Sequence, residues 1–128
     1  MAVKAIYNGV RMSPRKVDIV AALVRGRTVA DAITILDHTP RRAAKAVKKA
    51  VVSAIANAEH NHNYKPDSLF ISEISVTAGI RYRRYRAAAR GRARRFARQT
   101  SQVRVLVDGD KRTIKKPIAK RESSETKE

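Results

Sequence analysis

The chain contains no cysteine. Disulfide staples and thiolate metal sites are therefore excluded, and cysteine usage leaves the redox compartment open. No apolar run approaches the ~20 residues of a membrane-spanning helix. The first residues, Met1 to Asn8, carry no apolar signal-peptide core. Together these absences predict a soluble, intracellular protein. Aromatic residues make up only 5% of the chain, so a core has to be assembled from valine, isoleucine, leucine and alanine. Such side chains suit small helices packed closely on a sheet. There is no glycine-rich loop ending in Lys-Ser or Lys-Thr and no Ser/His/Asp motif. Catalysis is not expected, and no cofactor is implied.

Acidic residues are also scarce. Eleven Asp and Glu stand against 29 Lys and Arg, a net charge of +18 over 128 residues. That balance points to a polyanion as partner and says nothing about fold. The length fits one domain. The charge is concentrated in residues 81–98, where nine of eighteen residues are arginine and none is acidic. These charges repel one another, and almost nothing apolar there could form a core. The segment needs a polyanion to become compact. Guanidinium is planar and always charged, forks onto phosphate with paired hydrogen bonds, and stacks on bases. Tyr82, Tyr85 and Phe96 add stacking faces. An RNA-binding arm is the reading these residues favour, its contacts mostly to phosphates, which position without reading sequence.

The rest of the chain is patterned. Val3, Ala5 and Tyr7 alternate with Lys4 and Asn8, which predicts a strand. Ser13-Pro14 opens a helix, with serine as N-cap and proline in the first turn. Val17, Val20, Ala21 and Val24 form its apolar face, and Gly26 stops it. Thr28 starts a second helix, paired with Asp31 in the manner of a capping box. Its apolar face is Ala32, Ile33 and Leu36, and His38 lies near its end. Thr39-Pro40 predicts the start of a third helix, with a stripe of Ala44, Val47, Val51, Ala54 and Ala58. Lys65-Pro66-Asp67 reads as a turn. Leu69 to Thr77 predicts a strand with Phe70, Ile74 and Val76 on one face, and Leu69 and Ile71 on the other. Val103, Val105 and Val107 form its partner. The two strands make the base of a hairpin, and residues 79–102 extend from it. Twelve extended residues out to Gly91 would reach ~40 Å, against a radius of gyration of ~13 Å for a ~100-residue domain. Gly91 is expected to take a positive φ at the tip. The expected fold is α+β: three helices packed on a small antiparallel sheet, with a long protruding β-hairpin. Residues 1–110 form one globular RNA-binding unit that includes the basic hairpin at about 79–102. Residues 111–128 read as a disordered polar tail.

Other clusters carry less. Ser13, Arg15 and Lys16 sit at a helix N-terminus, where free amides attract phosphate; a plain cap with a solvated basic turn would look the same. Lys45, Lys48 and Lys49 fit either a wet helix face or RNA contacts. Glu59, His60 and His62 have a His-x-His spacing, a weak signal for metal or acid–base chemistry, and hydrogen bonding fits them better. A DNA-binding architectural protein with a basic arm is the main alternative. Its recognition helix would need polar base-reading residues, and residues 29–36 are mainly apolar.

Several separated stretches, in order, resemble one family. Ser13-Pro14-Arg15-Lys16-Val17, Val24-Arg25-Gly26-Arg27, Ser53 to Asn61 and Gly91-Arg92-Ala93 are similar to the signature stretches of the bacterial large-subunit ribosomal protein "L twenty-two" family. The resemblance spans roughly residues 3–108. It departs at Ala87-Ala88-Ala89, where the family has Pro-Arg-Ala, and at Gln102, where the family has His. The resemblance implies a structural constituent of the large ribosomal subunit in the cytoplasm. Such a protein binds large-subunit rRNA, aids its assembly, and lines the peptide exit tunnel with its hairpin. The implied partners are that rRNA, neighbouring ribosomal proteins, and the nascent peptide at the hairpin tip, the chain being a monomer within the ribosome. The residues expected to touch rRNA are Ser13, Arg15, Lys16, Arg81, Tyr82, Arg83, Arg84, Tyr85, Arg86, Arg90, Gly91, Arg92, Arg94, Arg95 and Arg98.

Overall fold

Two apolar helical stripes meet one face of a sheet, and a third packs on those two helices, in the computed structural model, which describes residues 2–112. The elements are β1 (Val3–Val10), α1 (Pro14–Val24), α2 (Val29–His38), α3 (Arg42–His62), β2 (Phe70–Ala87) and β3 (Ala93–Asp108). The sheet is antiparallel with order β1-β3-β2. The fold is the expected α+β arrangement. Val17, Val20, Ala21 and Val24 of α1 and Val47, Val51, Ala54 and Ala58 of α3 are all buried. They meet Val103, Val105 and Val107 of the central strand. Alanines at 43, 44, 50, 54 and 58 give α3 a thin apolar face, so its backbone can lie close to the sheet without leaving voids.

Local signals were obeyed unevenly. Asp31 N–H donates to Thr28 Oγ1 at 3.3 Å, and the Thr28 hydroxyl donates to Asp31 Oδ2 at 2.7 Å; the cap of α2 is as expected. Ser13 is the N-cap residue of α1, but its hydroxyl makes no capping hydrogen bond. The expected start of α3 at Thr39-Pro40 is displaced. Thr39 ends α2, its hydroxyl donating to the Ile35 carbonyl at 2.6 Å, and α3 begins at Arg42 with no side-chain cap. A threonine next to a helix can bond either way, and here the preceding helix has it. At the far end of α3, Asn63 takes the left-handed conformation, φ 53°, and ends the helix.

The expected face of β2 also needs correction. The alternation puts Phe70 on one face with Ile74; in the structure Phe70 is 44% exposed while Ile71 and Ile74 are both buried. Ile71 pairs with Val107 and Glu73 with Leu106, so Ser72 is an extra residue on β2. This bulge shifts the alternation by one, and Ile71 joins the core side.

The end of the sheet away from the hairpin tip is closed by a local cluster. Tyr64 is buried and bridges to Lys111, with the Lys111 ammonium 5.9 Å from its ring centroid. His62 packs edge-on against the same ring. Lys65 N–H donates to the Asp110 carbonyl, and Arg112 N–H to that of Asn63. Lys111 and Arg112 are therefore held to the body. The rest of the segment read as a tail, 113–128, lies outside the described residues.

Candidate nucleic-acid interface

The hairpin is paired to its end. Cα partners run from Arg81↔Gln99 through Tyr82↔Arg98, Arg84↔Phe96 and Arg86↔Arg94 to Ala87↔Ala93. Among the described residues no third strand continues beyond the Val10↔Ser101 pair, so the arm is a two-stranded ribbon. Side chains alternate between its two faces. Tyr82, Arg84 and Arg86 share one face with Arg94, Phe96 and Arg98; Arg81, Arg83 and Tyr85 share the other with Arg95. Both faces thus carry arginine, and every residue from Arg81 to Gln99 is exposed. Two aromatic rings already have guanidinium groups over them: Arg86 lies 5.4 Å from the Phe96 centroid and Arg95 5.9 Å from that of Tyr85. These pairs give a two-sided strip some order without a core. They also pre-align planar cations beside stacking faces.

The tip turns on two left-handed residues. Gly91 has φ +68° as expected, and Arg90 has φ 59° and ψ 38°. Ala88 N–H donates to the Arg92 carbonyl at 2.8 Å and closes the loop. A left-handed conformation costs an L-residue about 1–2 kcal/mol. Gly91 escapes that cost and Arg90 does not.

At the root, the arm faces the body across a cleft of about 530 Å³. Arg11 and Arg42 line it from the body; Tyr82, Arg84, Arg98 and Gln99 line it from the arm. A neighbouring hollow adds Ser13 and Lys16 beside Arg11, Arg42 and Arg98. A third, along α3, joins Lys45 and Lys49 to Arg11 and Arg42. Among the described residues, no carboxylate lines any of the three. The cations come from separate elements: Arg11 follows the last residue of β1, Lys16 is in the first turn of α1, and Arg42 begins α3.

Ser13 and Lys16 therefore join the root of the arm, while Arg15 lines neither hollow. Lys48 is drawn elsewhere, its Nζ 2.6 Å and 2.8 Å from the two carboxylate oxygens of Asp37. Arg25 similarly pairs with Asp18 at 3.6 Å. By contrast, Arg11, Arg42 and Arg98 have no side-chain hydrogen bond or ion pair among the described residues. Neither Arg11 nor Arg42 is among the residues expected from the sequence to touch rRNA. Their type was visible; their convergence depends on how the strand and helix ends pack.

A small α+β body with an exposed arginine ribbon and a carboxylate-free basic root has the form of a polyanion-binding structural protein. The comparisons say which kind. The family model for "Ribosomal protein L22p/L17e" matches residues 5–108. The large ribosomal subunit protein uL22 of Oceanobacillus iheyensis is 49% identical over 107 residues, covering 84% of this chain and 95% of that protein. The chain belongs to the ribosomal protein L22p/L17e family. It is a structural protein of the large ribosomal subunit, resident in the cytoplasmic ribosome, and not an enzyme. Among the described residues, no helix is long and apolar enough to cross a membrane.

Proposed function

We propose that this chain binds large-subunit rRNA through the arm and the basic root, helps that RNA to assemble, and lines the peptide exit tunnel with its hairpin. The observation that carries the RNA-binding part is the arm's composition in place: nine arginines on two exposed faces with no carboxylate among them. Two-sided exposure suits a strand pair surrounded by RNA better than one lying on a flat surface. The tunnel position rests on family membership, and it gives the arm's end, Arg90 and Gly91, the nascent peptide as neighbour. Ser13, Arg15 and Lys16 supply a second RNA contact from the body, and neighbouring ribosomal proteins pack around a single copy.

Salt titration of RNA binding by the isolated chain tests the electrostatic part. If six to ten phosphates are neutralised, affinity falls ~10³–10⁵-fold between 50 and 200 mM salt on the DNA scale. A nearly flat response contradicts the proposal. Nuclease treatment of native material separates RNA from DNA: RNase releases the chain from its partner, whereas release by DNase alone supports an architectural DNA-binding protein instead.

A further inference from the structure

We infer that the cleft between arm and body is a phosphate latch: an anion held there by Arg11 and Arg42 on one wall and Arg84 and Arg98 on the other fixes the direction of the arm. The inference rests on the RNA-binding reading and adds to it a single site with a mechanical consequence.

The argument begins with what holds the arm in place. Up to Ser101 the central strand has a neighbour on each side; beyond it, among the described residues, only β2 continues. Both neighbours are irregular at this point. The register of β1 shifts between Tyr7 and Val10, around Gly9 with φ +75°, and that of β2 shifts between Ala78 and Arg81. Bulges bend and twist a strand pair, so the ladder alone sets the arm's angle weakly. The remaining link between arm and body runs across the cleft, and both of its walls are cationic. With no carboxylate among the described residues lining it, the walls repel one another. A phosphate between them reverses the sign of that interaction. Guanidinium groups from both walls then share one anion, as forked donors can. Tyr82 and Gln99 add a hydroxyl and an amide to the same space. The shared chemistry is that of an oxyanion, and its source in this setting is a phosphate of the RNA backbone.

The absence of native cysteine makes the test direct. Spin labels on Ser53→Cys, an exposed position of α3, and on Ala93→Cys, near the end of the arm, report the angle as a distance. Ala93 lies eight residues beyond Ser101, roughly 26 Å along a strand, so a small change at the root is magnified. The full chain is measured alone, with inorganic phosphate, with a short RNA oligonucleotide, and with sodium chloride at matched ionic strength. The expected result is a broad distance distribution that narrows with phosphate and with RNA but not with chloride. Arg11→Gln with Arg42→Gln, checked for an unchanged melt, stays broad. Lys4→Gln with Lys65→Gln, exposed cations of the body that line none of the three hollows, narrows as the parent does. Arg98→Gln, which removes one cation from the opposite wall, weakens the narrowing and lowers the salt slope of RNA binding by about one. A distribution already narrow without anion overturns the latch, as does equal narrowing with chloride or narrowing that survives Arg11→Gln with Arg42→Gln. Narrowing with phosphate but no RNA binding at all keeps the anion site and overturns the RNA reading; RNA binding without narrowing does the reverse.

Discussion

Gly79 and Thr100 face each other at the root of the arm so closely that a Cβ on Gly79 would lie 2.6 Å from Thr100 Oγ1. Thr100 cannot readily withdraw. It is 5% exposed, and its hydroxyl donates to the Ile80 carbonyl at 2.7 Å. The pair sits beside the β2 bulge and wedges the junction between three-stranded sheet and two-stranded arm. Gly79→Ala is therefore expected to destabilise by about 1–3 kcal/mol, the usual range for overpacking. The double variant with Thr100→Ala regains part of that loss, because removing Oγ1 leaves only ordinary contacts near 3.4 Å and beyond. Thermal melts of the two single variants and the double variant measure the coupling. Simple additivity would show that the cost of Gly79→Ala does not come from its contact with Thr100.

At the tip, Arg90 and Gly91 respond in opposite directions to substitution. Gly91→Ala places a Cβ in open space but at φ +68°, so its cost of about 1–2 kcal/mol is conformational. Arg90→Gly removes a comparable cost already present. Neither residue touches the core, so the global melt stays where it is. The readout is amide exchange at Ala88, whose N–H closes the tip loop. It slows in Arg90→Gly and speeds up in Gly91→Ala. A two-stranded ribbon alone is marginal in water, so protection along residues 82–98 of the free chain is low in every variant. Strong protection there would mean that the arm holds itself together without RNA.

The helices and the arm were largely legible before the fold was known. Val17, Val20, Ala21 and Val24, and the longer stripe from Ala44 to Ala58, repeat at helical spacing and bury as that spacing requires. Val103, Val105 and Val107 alternate and bury likewise. Two features stayed hidden because they are settled by distant partners. Nothing about Ser72 demands a bulge; the pairing of Ile71 and Glu73 with consecutive residues of β3 creates it. Thr39 had two helices within reach of its hydroxyl, and local sequence does not choose between them. The basic root was hidden for a related reason. Arg11, Lys16 and Arg42 are separated in sequence and meet the arm only when the ends of β1, α1 and α3 come to one side.

Tyr64 gives the protein an alkaline limit. Burial is the main cause that raises its pKa above 10.0, followed by the charge of Asp108 and the hydrogen bond that the phenol donates to it. A raised pKa means that the folded state holds the phenolic proton more tightly than the unfolded chain. The resulting stability is complete below the unfolded value of 10.0 and is lost as pH rises through the folded value. Tyr64→Phe is expected to melt lower than the parent at neutral pH, having lost the bond to Asp108. The gap closes above about pH 10, where the parent pays for ionising a buried phenol. A constant gap across that range would show that ionisation of Tyr64 is not linked to unfolding.

Deleting residues 82–96 asks most directly whether body and arm are separate in construction and in task. The deletion removes seven of the nine arm arginines, sparing Arg81 and Arg98. Val20, Val51, Ile74 and Val103, all buried in the body, keep their neighbours. The truncated chain is expected to keep its far-UV signal and a cooperative melt near that of the parent, while its RNA affinity and the salt slope of that affinity fall sharply. A collapsed far-UV signal with no cooperative melt, or RNA binding that survives undiminished, would contradict the account.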